Sequence, residues 1–163
     1  MRKILFFLFF FSASMQAQTT VPSAEEVLKA AYKQASEQHK NVFVIFHASW
    51  CGWCKKMDAS LNDSTCKKIF DDNYVTVHLT VHENDEHKKE ENPGADEILK
   101  KLNASDTGIP FWLVYNNEGK LLATSFMQLA NKKKENIGCP ANEKEVAAFT
   151  AILKRTSSLT TKE

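Results

Sequence analysis

Cys51-Gly52-Trp53-Cys54 sets two thiols three residues apart. A disulfide between them would close a ring too small to staple a fold, so the value of the pair is chemical. If a helix starts here, Cys51 meets its unpaired N–H groups and the positive end of its dipole. A thiolate is favoured there and the thiol pKa falls below the ~8.5 of free cysteine. Lys55 and Lys56 add positive charge within a turn. Cys54 returns to the same helical face, where it can attack a mixed disulfide formed at Cys51. One exposed attacker and one sheltered resolving thiol are what reversible thiol–disulfide exchange requires. Two other uses of the pair fit less well. Zinc needs four ligands, and there is no second Cys-x-x-Cys to supply the other two. Haem attachment needs His at position 55, which is Lys55.

The elements around the pair are those that would position it. Val42 to Phe46 is a continuous apolar run, the pattern of a strand buried on both faces. It leads directly to Cys51, and 52–61 then reads as a helix broken by Asn62-Asp63-Ser64. Asp63 or Ser64 is expected to cap a second short helix running through Phe70. Upstream, Ala24, Val27, Leu28, Ala31, Tyr32 and Ala35 recur at helical spacing, with Ser23 and Glu26 as a capping box. Tyr74 to Val81 alternates as a strand, with Val75, Val77, Leu79 and Val81 on one face and Tyr74, Thr76, His78 and Thr80 on the other. A short helix over 95–102 and a hairpin of 111–115 with 120–124 follow. Asn142 and Glu145 cap a last helix carrying Val146, Phe149 and Leu153. Two stretches read as solvated loops: Glu83 to Gly94, dense in charge, and Asn131 to Ala141, which includes Lys132, Lys133 and Lys134. His82 and His87 fall in and beside the first and read as part of a wet loop rather than as metal ligands. One β-α-β crossover followed by an antiparallel hairpin gives an α/β domain. Its mixed central sheet has four or five strands, with helices on both faces.

The N-terminus differs from the rest. Arg2 and Lys3 precede an apolar run over Ile4 to Phe11, then small and polar residues to Ala17. This is the order of a secretory signal peptide cleaved after Ala17. The run is far shorter than the ~20 residues of a spanning helix. The expected organisation is a signal peptide over 1–17 and one domain over 18–163. The full chain carries a formal charge of +1, and removing Arg2 and Lys3 leaves it close to neutral, so no nucleic-acid partner is expected. Export also permits disulfides to persist. The remaining cysteines are Cys66 and Cys139, and leftover cysteines of an exported chain usually pair, so the residues alone leave a second disulfide open.

Two stretches together carry a resemblance. The first is Val42-Phe43-Val44-Ile45-Phe46-His47-Ala48-Ser49-Trp50-Cys51-Gly52-Trp53-Cys54-Lys55-Lys56, and the second Thr107-Gly108-Ile109-Pro110-Phe111. In both, the chain resembles the thioredoxin superfamily, and most of all the exported bacterial disulfide-interchange domains. The resemblance spans about Ser23 to Arg155. It implies a thioredoxin-like fold and a protein thiol–disulfide oxidoreductase acting outside the cytoplasm, in the periplasm. Cys51 would be the nucleophile and Cys54 the resolving thiol. Trp50 and Trp53 would flank a substrate groove lined by Ile109 and Pro110, with a cis bond between the latter two. Gly138-Cys139 would lie near its rim, while Cys66 falls about four helical turns beyond Cys51. A disulfide would need their Cα atoms within ~7 Å, so Cys66 and Cys139 are expected to stay unpaired. No cofactor or metal is implied beyond the Cys51–Cys54 disulfide. Protein or peptide disulfides would be the substrates, a membrane redox protein the partner, and a monomer the working form. A reductase or isomerase is favoured over an oxidase or a non-catalytic peptide-binding module. Two departures stand out. Thioredoxins proper carry a buried Asp where this chain has Ile45, so the usual proton acceptor for Cys54 is missing and His78 becomes the candidate relay. Trp53 also replaces the family's Pro.

Overall fold

The computed structural model describes residues 20–128 and 133–157. The signal peptide expected over 1–17, Lys132 and the tail beyond Ser157 lie outside the described residues. Helix α1 (Ala24–Gln38) starts at the Ser23–Glu26 capping box and ends at His39 in the left-handed region. Strand β1 (Asn41–His47) follows, then α2 (Gly52–Asn62), α3 (Lys67–Asn73) and β2 (Tyr74–Thr80). A turn of 3-10 helix over Lys88–Glu90 precedes α4 (Ala95–Lys101), and β3 (Phe111–Tyr115) and β4 (Leu121–Thr124) form the hairpin. A separate two-stranded ribbon pairs β5 (Phe126–Gln128) with β6 (Lys134–Asn136), and α5 (Glu143–Thr156) ends the described chain.

The central sheet has the order β2-β1-β3-β4, with β1 parallel to β2 and antiparallel to β3. Because β1 is internal, its residues 42–46 are wholly buried, as a continuous apolar run requires. Alternation sends Val42, Val44 and Phe46 to one face, against Ala31 and Ala35 of α1 and Leu99 of α4. It sends Phe43 and Ile45 to the other, against Met57 and Leu61 of α2, Phe70 of α3 and Leu153 of α5. Phe43 stacks on Trp112 at 5.4 Å and meets Phe70 edge-on at 5.2 Å. Each such aromatic pair adds roughly 0.5–1.5 kcal/mol beyond burial. This is the thioredoxin-like arrangement, and it packs α2 directly on β1 beside their junction. No helix among the described residues is long and apolar enough to cross a membrane.

Three local expectations need correction. Helix α3 begins at Lys67, and its cap position is Cys66, without a side-chain cap. Asp63 instead accepts the Thr65 N–H at its carboxylate and the Cys66 and Lys67 N–H groups at its carbonyl. The stretch from Glu83 to Gly94 is not simply solvated, since Glu83 and Asn92 are buried. The Asn92 side chain accepts from Thr80 N and donates to Pro22 O, tying α1 to the end of β2. Nor is Asn131 to Ala141 a wet loop throughout: it contains β6, and Ile137 and Gly138 are buried.

Candidate active site

The chain leaves the sheet at His47, and the Ala48 carbonyl accepts the Cys51 N–H at 3.1 Å. That turn makes Cys51 the N-cap of α2, and its Sγ accepts the Cys54 N–H at 3.1 Å. The sulfur thus takes the place of a capping oxygen at a helix start. Cys51 and Cys54 are joined by a disulfide, their Cα atoms 5.3 Å apart. Ala48 and Ile109 pack on it. That packing overturns the expectation of an exposed attacking residue, for Cys51 is only 3% exposed and Cys54 1%. What the surface presents instead is the pair of indoles: Trp50 is 56% exposed and Trp53 51%.

One flank of the disulfide is pinned. The Glu83 carboxylate accepts both the Ser49 N–H and the Ser49 hydroxyl, the latter at 2.7 Å. Trp50 Nε1 donates to the His82 carbonyl at 2.8 Å, and Glu83 N donates to the Glu91 carboxylate at 2.8 Å. Burial works to raise the Glu83 pKa, but the two Ser49 hydrogen bonds prevail and hold it below the usual carboxylate value.

The other flank is open. The Ile109–Pro110 bond is cis, and the Ile109 carbonyl oxygen lies 3.6 Å from Cys51 Sγ. Trp53, Ile109, Pro110, Gly138, Cys139 and Glu145 line a groove of about 270 Å³. Its far wall is held by Asn136, whose side-chain N–H group reaches the carbonyls of Gly108 at 3.0 Å and Pro110 at 3.1 Å. Gly138 has φ +58°, and a Cβ there would stand 3.2 Å from the Pro110 oxygen, so this wall needs glycine. The buried Trp112 indole donates to the Gly138 carbonyl at 2.9 Å. Lys56 Nζ sits 4.2 Å over the Trp53 ring. Cys66 and Cys139 are free thiols. Burial pushes the Cys139 thiol up, against the pull of Lys56.

Beneath α2, Ile45 pairs with His78 across the β1–β2 ladder. His78 Nε2 lies 2.8 Å from Asp58 Oδ1, so its side chain is on the α2 side. The His47 ring is 4.9 Å from that of His78, and His47 Nε2 is 3.3 Å from Thr80 Oγ1. Burial first, then the neighbouring His78, hold His47 below the ordinary imidazole value. Asp58 and His47 had readable signals: Asp58 is four residues after Cys54, one helical turn, and His47 is two after Ile45, the same strand face. Glu83 and Asn136 had none, each standing in a run of polar residues. Among the described residues no group of three or more His, Cys, Asp and Glu is placed to hold a metal ion.

A model of a family described as thioredoxin-like matches residues 23–117. The chain belongs to the thioredoxin-like family. A disulphide isomerase from Xylella fastidiosa Temecula1 superposes with a TM-score of 0.56 at 20% identity, over 90% of this chain and 99% of that one. A DsbH oxidoreductase gives 0.46 at 23% identity, over 89% and 95%. The reduced C-terminal domain of DsbD from Neisseria meningitidis gives 0.46 at 22%, over 82% and 97%. No match to a curated protein is found. At these identities the solved structures speak to fold. In this thioredoxin-like chain the disulfide caps the helix after the central strand, which is the apparatus of a thiol–disulfide oxidoreductase.

Proposed function

We propose that the protein is exported and exchanges thiols and disulfides on protein substrates, as a reductase or isomerase. The observation that carries this is Cys51 Sγ: it caps α2, is bonded to Cys54, and faces the Ile109 carbonyl at 3.6 Å. In the reduced protein the start of α2 favours the Cys51 thiolate. That thiolate attacks one sulfur of a substrate disulfide. A Cys51–substrate disulfide forms and the other substrate sulfur leaves as a thiolate. Cys54, deprotonated, then attacks Cys51 Sγ. The Cys51–Cys54 disulfide forms and the second substrate thiolate leaves. The two electrons taken up by the substrate come from the dithiol, so a donor must reduce it again. A membrane dithiol protein fits an exported chain, and no cofactor beyond the disulfide is needed. Trp50, Trp53, Ile109 and Pro110 form the substrate-facing surface, with an extended peptide beside Ile109 as an added strand. The reading requires only a monomer.

Insulin-disulfide reduction with a dithiol donor tests this. The wild type should turn over, and Cys51→Ser should fall to the uncatalysed rate. A Cys51→Ser protein as active as the wild type would overturn the assignment. Equilibration with glutathione tests the direction. A potential nearer the about −270 mV of thioredoxin than the about −120 mV of DsbA fits the reductase reading.

His78, held by Asp58, is proposed to take the Cys54 proton in place of an acid at position 45. His78→Gln should then slow resolution of a mixed disulfide at Cys51 ~10²-fold, the usual scale for general-base help, and remove an ionisation from its pH profile. An unchanged rate and profile would make His78 a strand residue only.

A further inference from the structure

Trp50 is more than half exposed, yet its indole N–H is bonded to the His82 carbonyl. His82 has φ +56°, in the left-handed region, an uncommon conformation for a residue with a Cβ. Among the described residues two other non-glycine positions share it, His39 and Asn103. Each of those follows a helix, where a left-handed residue is an ordinary way to end it. His82 follows a strand, and no helix end accounts for it. A conformation of this kind persists only where its surroundings hold it.

The surroundings are specific. Just before His82, the buried Val81 donates its N–H to the His47 carbonyl at 2.9 Å. Just after it, Glu83 is bonded to Ser49 and to Glu91. The His82 ring reaches across to α4, where its Nε2 lies 3.3 Å from Asp96 Oδ1. The second Asp96 oxygen pairs with Lys100 Nζ at 2.6 Å. Lys100 first, and His82 after it, hold the Asp96 carboxyl below its usual value. Asp96 is therefore an anion that accepts from the imidazole N–H. Its base is firm, because Ala95 and Leu99 on either side of it along α4 are wholly buried. His82 thus joins α4 by its side chain to Trp50 by its carbonyl.

We propose that His82 is a positioning residue that sets substrate preference: its ring, tied to Asp96, keeps the backbone turned so that its carbonyl holds the Trp50 indole as a fixed wall for a polypeptide at Cys51. The inference rests on the oxidoreductase reading above and deepens it by naming what fixes Trp50 for the substrate. A half-exposed indole left free samples several rotamers, and a polypeptide packing on it must order it at a cost in affinity. An indole held beforehand adds no such cost. A disulfide too small to cover the indole gains nothing from the hold.

Two readouts test this. The first is exchange of the Trp50 indole N–H with water in the oxidised protein, followed by NMR and assigned with Trp50→Phe. Asp96→Ala removes the tie at a side chain that is 37% exposed, so the core is untouched. His82→Ala removes the ring, and Asp96→Asn keeps an oxygen that accepts from it. Exchange should quicken about threefold or more in Asp96→Ala and His82→Ala, within the scale of one net hydrogen bond. It should return towards the wild type in Asp96→Asn. The second readout is steady-state reduction of insulin and of bis(hydroxyethyl) disulfide. Asp96→Ala should raise KM for insulin about threefold, the scale of ordering one side chain. Its kcat on insulin and its rate with the small disulfide should match the wild type, and Asp96→Asn should recover the KM. Unchanged exchange in both Asp96→Ala and His82→Ala overturns the proposal. So does quicker exchange with an unchanged KM for insulin, or an equal loss on both substrates, which would place the effect at Cys51. A wild type that reduces neither disulfide would overturn the oxidoreductase reading instead. Quicker exchange in Asp96→Ala would then still support His82 as the residue that fixes Trp50.

Discussion

The two flanks of the Cys51–Cys54 disulfide are built by opposite means. On the Trp50 side, polar bonds from the segment after β2 hold the chain before Cys51: Ser49 to Glu83, Trp50 to His82 and Glu83 to Glu91. On the Trp53 side, the walls are the cis Ile109–Pro110 segment and the backbone of 136–139, with a groove left between them. Both flanks end in a half-exposed indole, yet one indole closes a wall and the other borders a space. A site that must hold its nucleophile still while admitting a variable polypeptide needs this division. Fixed geometry comes from charge-assisted hydrogen bonds, and tolerance from apolar and backbone surface.

The comparison breaks first at Glu83. Glu83→Ala takes the charged acceptor from the Ser49 N–H and hydroxyl, about 1.5–3 kcal/mol for hydrogen bonds to a charged group and towards the low end here, because Ser49 is exposed to water. The expected result is a lower denaturation midpoint in urea, together with a fall in kcat on both large and small disulfides, because Cys51 itself is displaced. Glu83→Gln keeps the shape and one acceptor and should recover part of each. If Glu83→Ala is as stable and as active as the wild type, the pinned flank is not what positions Cys51.

Asn136 sharpens the same contrast from the open side. Its side chain donates to the Gly108 and Pro110 carbonyls and accepts the Gly138 N–H at 3.0 Å. Asn136→Ala removes these links across the groove wall, at roughly 1 kcal/mol for half-buried neutral bonds. KM for a polypeptide disulfide should rise, with kcat on a small disulfide little changed. A fall in kcat with KM unchanged would show that the groove wall, too, acts on the nucleophile.

The sequence shows the two flanks unequally, for a physical reason. Cys51 and Cys54 stand between a strand and a helix whose patterns fix their place, so the catalytic loop was legible from the residues. The cis bond at Pro110 and the places of Trp50 and Ile109 beside the disulfide were implied by the resemblance. The mixed sheet followed from the crossover and hairpin, and the two faces of β2 from its alternation. Glu83 and Asn136 act through long-range contacts, 34 residues from Ser49 and 26 from Pro110. Their neighbours are charged or polar, and nothing local distinguishes a buried acid or a bridging amide from a solvated one. The α3 start was misplaced because Asp63 has the right chemistry for a cap but spends it on Thr65.

The smallest expected effect is a pH dependence confined to the pinned side. His47 sits at the end of β1, facing His78, Asp58 and Thr80, with Glu83 close enough to act on its charge. Burial and the His78 ring hold its folded pKa below the unfolded value of about 6.5. The folded state therefore disfavours its protonated form. Its contribution to stability is fully present above the unfolded pKa. It is lost as pH falls from there towards the folded value, because the unfolded chain then binds more protons. His87 works in the opposite sense: its hydrogen bond to Glu90 raises its pKa, so its contribution is present at low pH and lost as pH rises. The His47 part must be isolated by comparing the wild type with His47→Gln, not by the wild type's total profile. Urea denaturation at pH 7.5 and pH 5.5 should show a smaller acid-side loss in His47→Gln than in the wild type. The groove variant Asn136→Ala should keep the wild-type loss. Equal loss in wild type and His47→Gln would mean that the imidazole charges without cost, and that the pinned flank is no more sensitive to acid than the open one.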